Sequence, residues 1–314
     1  MPNQLVFLPC LDSDSKAAMR HRELSINRIL ASALGRSAVQ LARAGIYQNS
    51  RGQAVSFAAD VAVACANKLS ISPYDPLPTR EWTHFSETTI QVANETTLAA
   101  ARRLADKGLR PLALNFANGV SPGGGFLNGA LAQEETLCRS SALYLTLDGD
   151  PMYAAHAKNE HRESSDWAIL SPDVPVFRAD DGLSLERPWL LSFITCAAPI
   201  CKFTPETIAG LLDSDSADLT YTALALYSVK QSADRLSQRI HRVMAIARAY
   251  QYDTLVLGAW GCGAFNNDPV RTAADFREAL DTHFRGAFSN IVFAITDWSP
   301  ERKFLAPFRD AFAQ

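Results

Sequence analysis

A chain of 314 residues is long enough to bury a large core, as one elaborated domain or two smaller ones. With 47% apolar residues and a formal net charge of only -3, it has no field strong enough to point to DNA, RNA or an anionic membrane, so an anionic ligand needs a local site. No apolar run reaches membrane-spanning length and "MPNQLVFLPCLDSDSK" lacks the basic start and small-residue cleavage site of a secretory signal, which sets the expectation of a soluble, cytoplasmic protein.

In chain order, "RELSINRILASALGRSAVQLARAGIY" places Leu24, Ile26, Ile29, Leu30, Leu34, Val39 and Leu41 at helical spacing, with a break expected at Gly35. "SISPYDPLPTREW" reads as an irregular connector, and "TTIQVAN" alternates like a strand. "ETTLAAARRLADKG" has a threonine start, an alanine-rich body and a closing Gly108, which together predict a helix. "RPLALNFAN" follows as a buried strand, then the loop "GVSPGGGFLNG", then "AQEETLCRSSALYLTL" as one helix. "DWAILSPDVPVFR" and "PWLLSFITCAAP" read as strands, and "SADRLSQRIHRVMAIARAY" as an amphipathic helix. The strand "DTLVLGAW", the loop "GCGAFNNDP", the helix "VRTAADFREALDTHF", the strand "NIVFAITD" and the helix "ERKFLAPFRDAFA" complete the chain.

Strands alternating with helices predict an α/β fold with helices on both faces of a mixed, mostly parallel sheet. Residues 81–314 are expected to form the core, and residues 1–80 an N-terminal helical extension packed on it. The six cysteines form no CxxC pair and are expected to be reduced thiols. His156 and His161 have no cysteine or acidic cluster at zinc-site spacing, so no structural metal is expected.

Two glycine loops follow separate buried strands, where α/β sheets bind their ligands. In "SPGGGFLNGA" and "GAWGCGAFNNDP", small residues would let backbone N–H groups face phosphate oxygens. Neither matches a P-loop, and neither gives a complete GxGxxG with its acidic ribose contact. One such loop alone reads as a tight turn; two point to a ligand. Phe265 beside the second loop is either a stacking platform for a base or sugar, or a core anchor.

Glu134 and Glu135 stand in the first turn of a predicted helix, where the macrodipole favours negative charge. Successive helical residues point about 100° apart, so the two carboxylates cannot do one job. One suits sugar hydroxyls, and the other suits acid or base work on a neighbouring bond. Adjacent glutamates do not flank a substrate like the usual glycosidase pair. The second charge that stabilises a cationic sugar would then come from the substrate's own diphosphate.

"PGGGFLNGALAQEE" resembles the signature of poly(ADP-ribose) glycohydrolases, a triple glycine followed after a spacer by Gln-Glu-Glu, in its bacterial type. "VANETTLAAARRL", "LNFAN", "SPDVPVFR", "TCAAP" and "GAWGCGAFNNDP" are similar to the blocks around that core, in the same order from about Arg22 onward. The resemblance implies a macrodomain-like three-layer fold that binds ADP-ribose. It also implies exo-type hydrolysis of the ribose–ribose O-glycosidic bond of poly(ADP-ribose), with ADP-ribose as product and no metal or other cofactor. Carried over to this chain, Glu135 is the catalytic acid. Glu134 and Asn118 position the scissile ribose, and Gln133 completes the signature. Gly123, Gly124 and Gly125, with the loop Gly261, Cys262, Gly263, Ala264 and Phe265, embrace the diphosphate, Phe265 ordering the ribose beyond it. The alternatives are a mono-ADP-ribosyl hydrolase and a non-catalytic ADP-ribose reader, which has no need of Glu135. No oligomerisation motif stands out, so a monomer is expected, with no direct nucleic-acid or membrane partner.

Overall fold

The computed structural model describes residues 4–159, 163–213 and 219–313. The elements in chain order begin with β1 (Gln4–Phe7), α1 (Asp14–Leu24), α2 (Arg28–Ala44), β2 (Ile46–Gln48), β3 (Ala54–Ser56), α3 (Ala58–Asn67) and β4 (Leu69–Ile71). There follow β5 (Glu87–Ala93), α4 (Thr97–Ala105), β6 (Pro111–Phe116), α5 (Gln133–Ser140), α6 (Leu143–Leu147), α7 (Pro151–Lys158), β7 (Ala168–Arg178) and β8 (Ser184–Cys196). The chain closes with α8 (Pro205–Leu212), α9 (Leu219–Ala249), β9 (Thr254–Leu257), α10 (Pro269–Asp281), β10 (Asn290–Ala294) and α11 (Leu305–Ala311).

Eight strands form one sheet in the order β1-β5-β10-β9-β6-β8-β7-β4. Pairings from β1 through β8 are parallel, and β7 runs antiparallel to both of its neighbours. Residues 1–80 contribute helices and also the two edge strands, β1 and β4. The pleat sends alternate side chains to opposite faces. Leu112 and Leu114 of β6, with Leu255 and Leu257 of β9, join a core under α9, α10 and α11. Ala113 and Val256 point the other way, into a core under α2 to α6. The result is the three-layer α/β fold.

The helix through Gly35 is not broken there. A Cβ at Gly35 would lie 2.6 Å from the Phe126 carbonyl oxygen, so glycine lets α2 approach the turn that follows the glycine loop. The break falls at residues 25–27 instead, where Asn27 Oδ1 accepts from Leu30 N at 2.8 Å and restarts the helix. The helix expected across Gln133–Leu147 is two helices. Ser141 is extended and bridges to Val176 of β7, while Ala142 N donates to Pro175 O at 3.0 Å. Residues 72–86 are irregular, as their prolines predict. No helix among the described residues is long and apolar enough to cross a membrane.

Candidate active site

The parallel strands deliver their carboxyl ends to one edge of the sheet, where the following loops surround a cavity of about 910 Å³. Glu95 to Thr97 come from the end of β5, Asn118 from beyond β6, and Ala259, Trp260, Gly261, Gly263, Ala264 and Phe265 from beyond β9. Ala294 to Thr296 come from β10, and His21 with Leu24 to Asn27 close a side from the α1–α2 junction. The His21 ring stacks on Trp298 at 4.7 Å.

The acids at the floor come from α5, which enters directly from the glycine loop. Glu134 is 3% exposed and Glu135 8%, so both adjacent carboxylates are buried at a helix N-terminus. They part company as the helical rotation requires. Glu134 Oε2 accepts from Asn118 N at 2.7 Å, and its Oε1 from Asn115 Nδ2 at 3.3 Å. Glu135 Oε1 accepts from Gly125 N at 2.9 Å, while its buried Oε2 has no hydrogen-bond partner among the described residues. Burial, reinforced by repulsion from Glu135, pushes the Glu134 carboxyl up to about 8 against the opposing bonds from Asn118 and Asn115.

The triple glycine makes this packing feasible. Gly124 has φ +59°, and a Cβ there would lie 2.4 Å from Glu135 Oε1 and 3.0 Å from Glu134 Oε2. Gly123, with φ +71°, faces the Phe126 ring, which is fully buried. Gln133 locks the helix to the strand: its Oε1 accepts from Phe116 N at 2.9 Å, and its Nε2 donates to Leu114 O at 2.7 Å and Thr97 Oγ1 at 3.0 Å. Arg139, buried behind Glu135, donates to Ala130 O at 2.7 Å and Thr136 Oγ1 at 2.9 Å.

Of the residues singled out in the sequence, Asn118, Gln133, Glu134, Glu135, Gly261, Gly263, Ala264 and Phe265 line the cavity. Gly123, Gly124, Gly125 and Cys262 do not. The three glycines back the glutamates instead of facing the open space, because Phe126 at Gly123, the two carboxylates at Gly124 and Ala130 at Gly125 occupy the room their missing side chains leave. Cys262 is buried under its loop with Sγ 3.5 Å from Thr272 Oγ1. Phe265 is partly buried against the core and also lines the cavity. His156 is occupied on both ring nitrogens, at 2.8 Å from Gly119 O and from Ser165 Oγ; His161 lies outside the described residues.

Several lining or supporting residues escaped the sequence reading. Asn115 is fully buried and also donates to Thr195 Oγ1 at 3.2 Å, a neighbour created by the β6–β8 register. Asp180, beyond β7, lines the cavity and accepts from Thr96 Oγ1 at 2.7 Å; burial lifts its carboxyl to about 7. The only signal for Asn115 was a polar residue inside the apolar run "PLALNF". Asp180 gave none, since it sits in the hairpin-like sequence "RADDG".

Residues 35–179 match the family described as microbial-type PARG, catalytic domain, where PARG abbreviates poly(ADP-ribose) glycohydrolase. The structure of the glycohydrolase from Thermomonospora curvata is similar at 36% identity and a TM-score of 0.75, covering 90% of this chain and 98% of that one. The same enzyme bound to the inhibitor ADP-HPD matches with a TM-score of 0.73 over 89% of this chain and 98% of that one, also at 36% identity. The enzyme from Deinococcus radiodurans in complex with ADP-ribose matches at 35% identity and a TM-score of 0.67, covering 80% of this chain and 95% of that one. No curated protein matches the chain.

Proposed function

Because the chain belongs to the microbial-type poly(ADP-ribose) glycohydrolase family and is a glycohydrolase acting on poly(ADP-ribose), we propose that it removes terminal ADP-ribose units with Glu135 as the acid. The observation that carries the assignment of the acid is the asymmetry of the buried pair. Both Glu134 oxygens are engaged, and one Glu135 oxygen is held by Gly125 N while the other is unpartnered. Glu135 Oε2, with no protein partner among the described residues, is the carboxyl oxygen left to meet a substrate oxygen.

In this reading the terminal unit occupies the cavity with its diphosphate against the Gly261–Phe265 loop. Glu135 gives its proton to the leaving ribose oxygen as the glycosidic C–O bond breaks, and the bonding electrons stay with that oxygen. The positive charge left on the terminal ribose is balanced by the substrate's diphosphate. A water then adds to the anomeric carbon and returns a proton to the Glu135 carboxylate. Glu134, fixed by Asn118 and Asn115, receives the ribose hydroxyls. No step runs through a metal or other cofactor. Cleavage from the end of the polymer is supported by the wall built from His21 and residues 24–27. A cavity of about 910 Å³ also fits a single small-molecule ligand, since such sites span roughly 300–1,000 Å³.

The test is ADP-ribose release from defined poly(ADP-ribose) by the wild type and by Glu135→Gln, beside ADP-ribose binding by calorimetry. Release by the wild type as single units, abolished in a variant that binds ADP-ribose within about threefold of normal, is the expected result. Turnover retained in Glu135→Gln removes the assignment of the acid; early release of long fragments removes the terminal mode.

A further inference from the structure

The far end of α10 carries a cluster unrelated to the cavity. His241 on α9, Glu278 on α10 and His283 just past the α10 terminus bring three ligand atoms within 4.8 Å of one another. None of the three lines the cavity, whose loop runs into the opposite end of the same helix. The 13 residues of α10 span about 20 Å at 1.5 Å per residue, so the two sites are well separated.

The geometry points to a binding site for a divalent first-row transition ion, with zinc as the best fit. His241 Nδ1 lies 2.9 Å from Ser237 O, which requires the proton on Nδ1 and leaves an Nε2 lone pair facing the cluster. That Nε2 stands 3.4 Å from His283 Nδ1 and 3.7 Å from Glu278 Oε2. The 3.4 Å separation, taken with Zn–N bonds of about 2.05 Å, gives an angle of about 112° at the ion, close to tetrahedral. The 3.7 Å separation gives a wider one, about 129° on the same bond lengths. The two rings meet nearly edge to face, at 82° with centroids 4.9 Å apart. Thr282 Oγ1 donates to Glu278 O at 2.8 Å and stands 2.7 Å from His283 Nδ1, a contact that an ion on that nitrogen replaces. Glu278 and His283 are exposed, so Glu278 is free to close the remaining distance and a fourth position is left to water. Two imidazoles and one carboxylate suit zinc, nickel or copper better than magnesium or calcium, which prefer all-oxygen shells. The ion would fasten α9 to the end of α10.

Tag-free protein is stripped with a chelator, dialysed and titrated with zinc chloride by calorimetry, in parallel with His241→Ala/His283→Ala, Glu278→Gln and Cys10→Ser/Cys65→Ser. One zinc per chain is expected, with binding weakened at least tenfold in the first two variants and unchanged in the thiol variant, since even outer-shell losses cost metal sites about 10–100-fold. Cobalt substitution should give the intense visible absorption of a four-coordinate site in the wild type and lose it in the double histidine variant. Absence of stoichiometric binding overturns the proposal. So does binding that survives in the histidine variant or vanishes in the thiol variant, because Cys10 and Cys65 are the two cysteines that are not buried.

Discussion

Replacing Gly124 by alanine separates the role of the triple glycine from its conformational cost. At φ +59° an alanine pays about 1–2 kcal/mol of left-handed backbone strain. Its Cβ also falls 2.4 Å from Glu135 Oε1, well inside the closest ordinary approach of about 3.0 Å, and 3.0 Å from Glu134 Oε2. The Glu135 carboxylate must therefore retreat by about 0.5–1 Å and strain its 2.9 Å bond from Gly125 N. Misplacing a catalytic group by about 1 Å costs on the order of 100-fold in rate. Gly108→Ala is the control, because Gly108 has φ +80° and nothing within 4 Å of its would-be Cβ. Both variants should lose about 1–2 kcal/mol in urea denaturation. Only Gly124→Ala should lose about 100-fold in the rate of ADP-ribose release, with ADP-ribose affinity largely kept. If Gly124→Ala turns over within about threefold of the wild type while showing the expected stability loss, the glycine does not serve the carboxylates and the argument fails.

The buried acids set a pH dependence. An acid whose folded pKa lies above its unfolded value is protonated in the native state alone over the interval between them, so unfolding releases that proton and stability falls as pH rises. Glu134, raised to about 8, and Asp180, raised to about 7, should together lower the unfolding free energy by several kcal/mol from about pH 4 to pH 8. Glu134→Gln should flatten the upper part of that curve, and a flat wild-type curve would contradict the burial argument. Gln133→Ala strands Phe116 N and Leu114 O and should cost about 1–3 kcal/mol in urea denaturation; a loss under about 0.5 kcal/mol would show that the bracket is not structural. Chelator treatment should leave ADP-ribose release unchanged even where it strips bound zinc, because the proposed chemistry uses carboxylates alone, and a chelator-dependent rate would refute that reading.

Local signals determined much of this protein. Continuous apolar runs marked the strands that became β6, β9 and β10, because a strand buried on both faces has to be apolar along its length, and alternation marked β5. The run of glycines before two glutamates marked the site, because side-chain-free backbone beside paired charge has few purely structural uses. The short edge strands β1 and β4, the β2–β3 hairpin and helix α3 left little trace, since they are held by pairing and packing with distant segments rather than by their own patterns. Gly35 shows the same limit: its local preference to end a helix is overridden by the close approach of Phe126, a contact 91 positions away in the chain. What the glycine triplet touches, that Asn115 and Asp180 join the site, that burial raises the Glu134 carboxyl to about 8, and that His241 meets Glu278 and His283 were decided only in three dimensions. Each depends on distances between segments remote in sequence, and on exclusion of water, neither of which a linear pattern encodes.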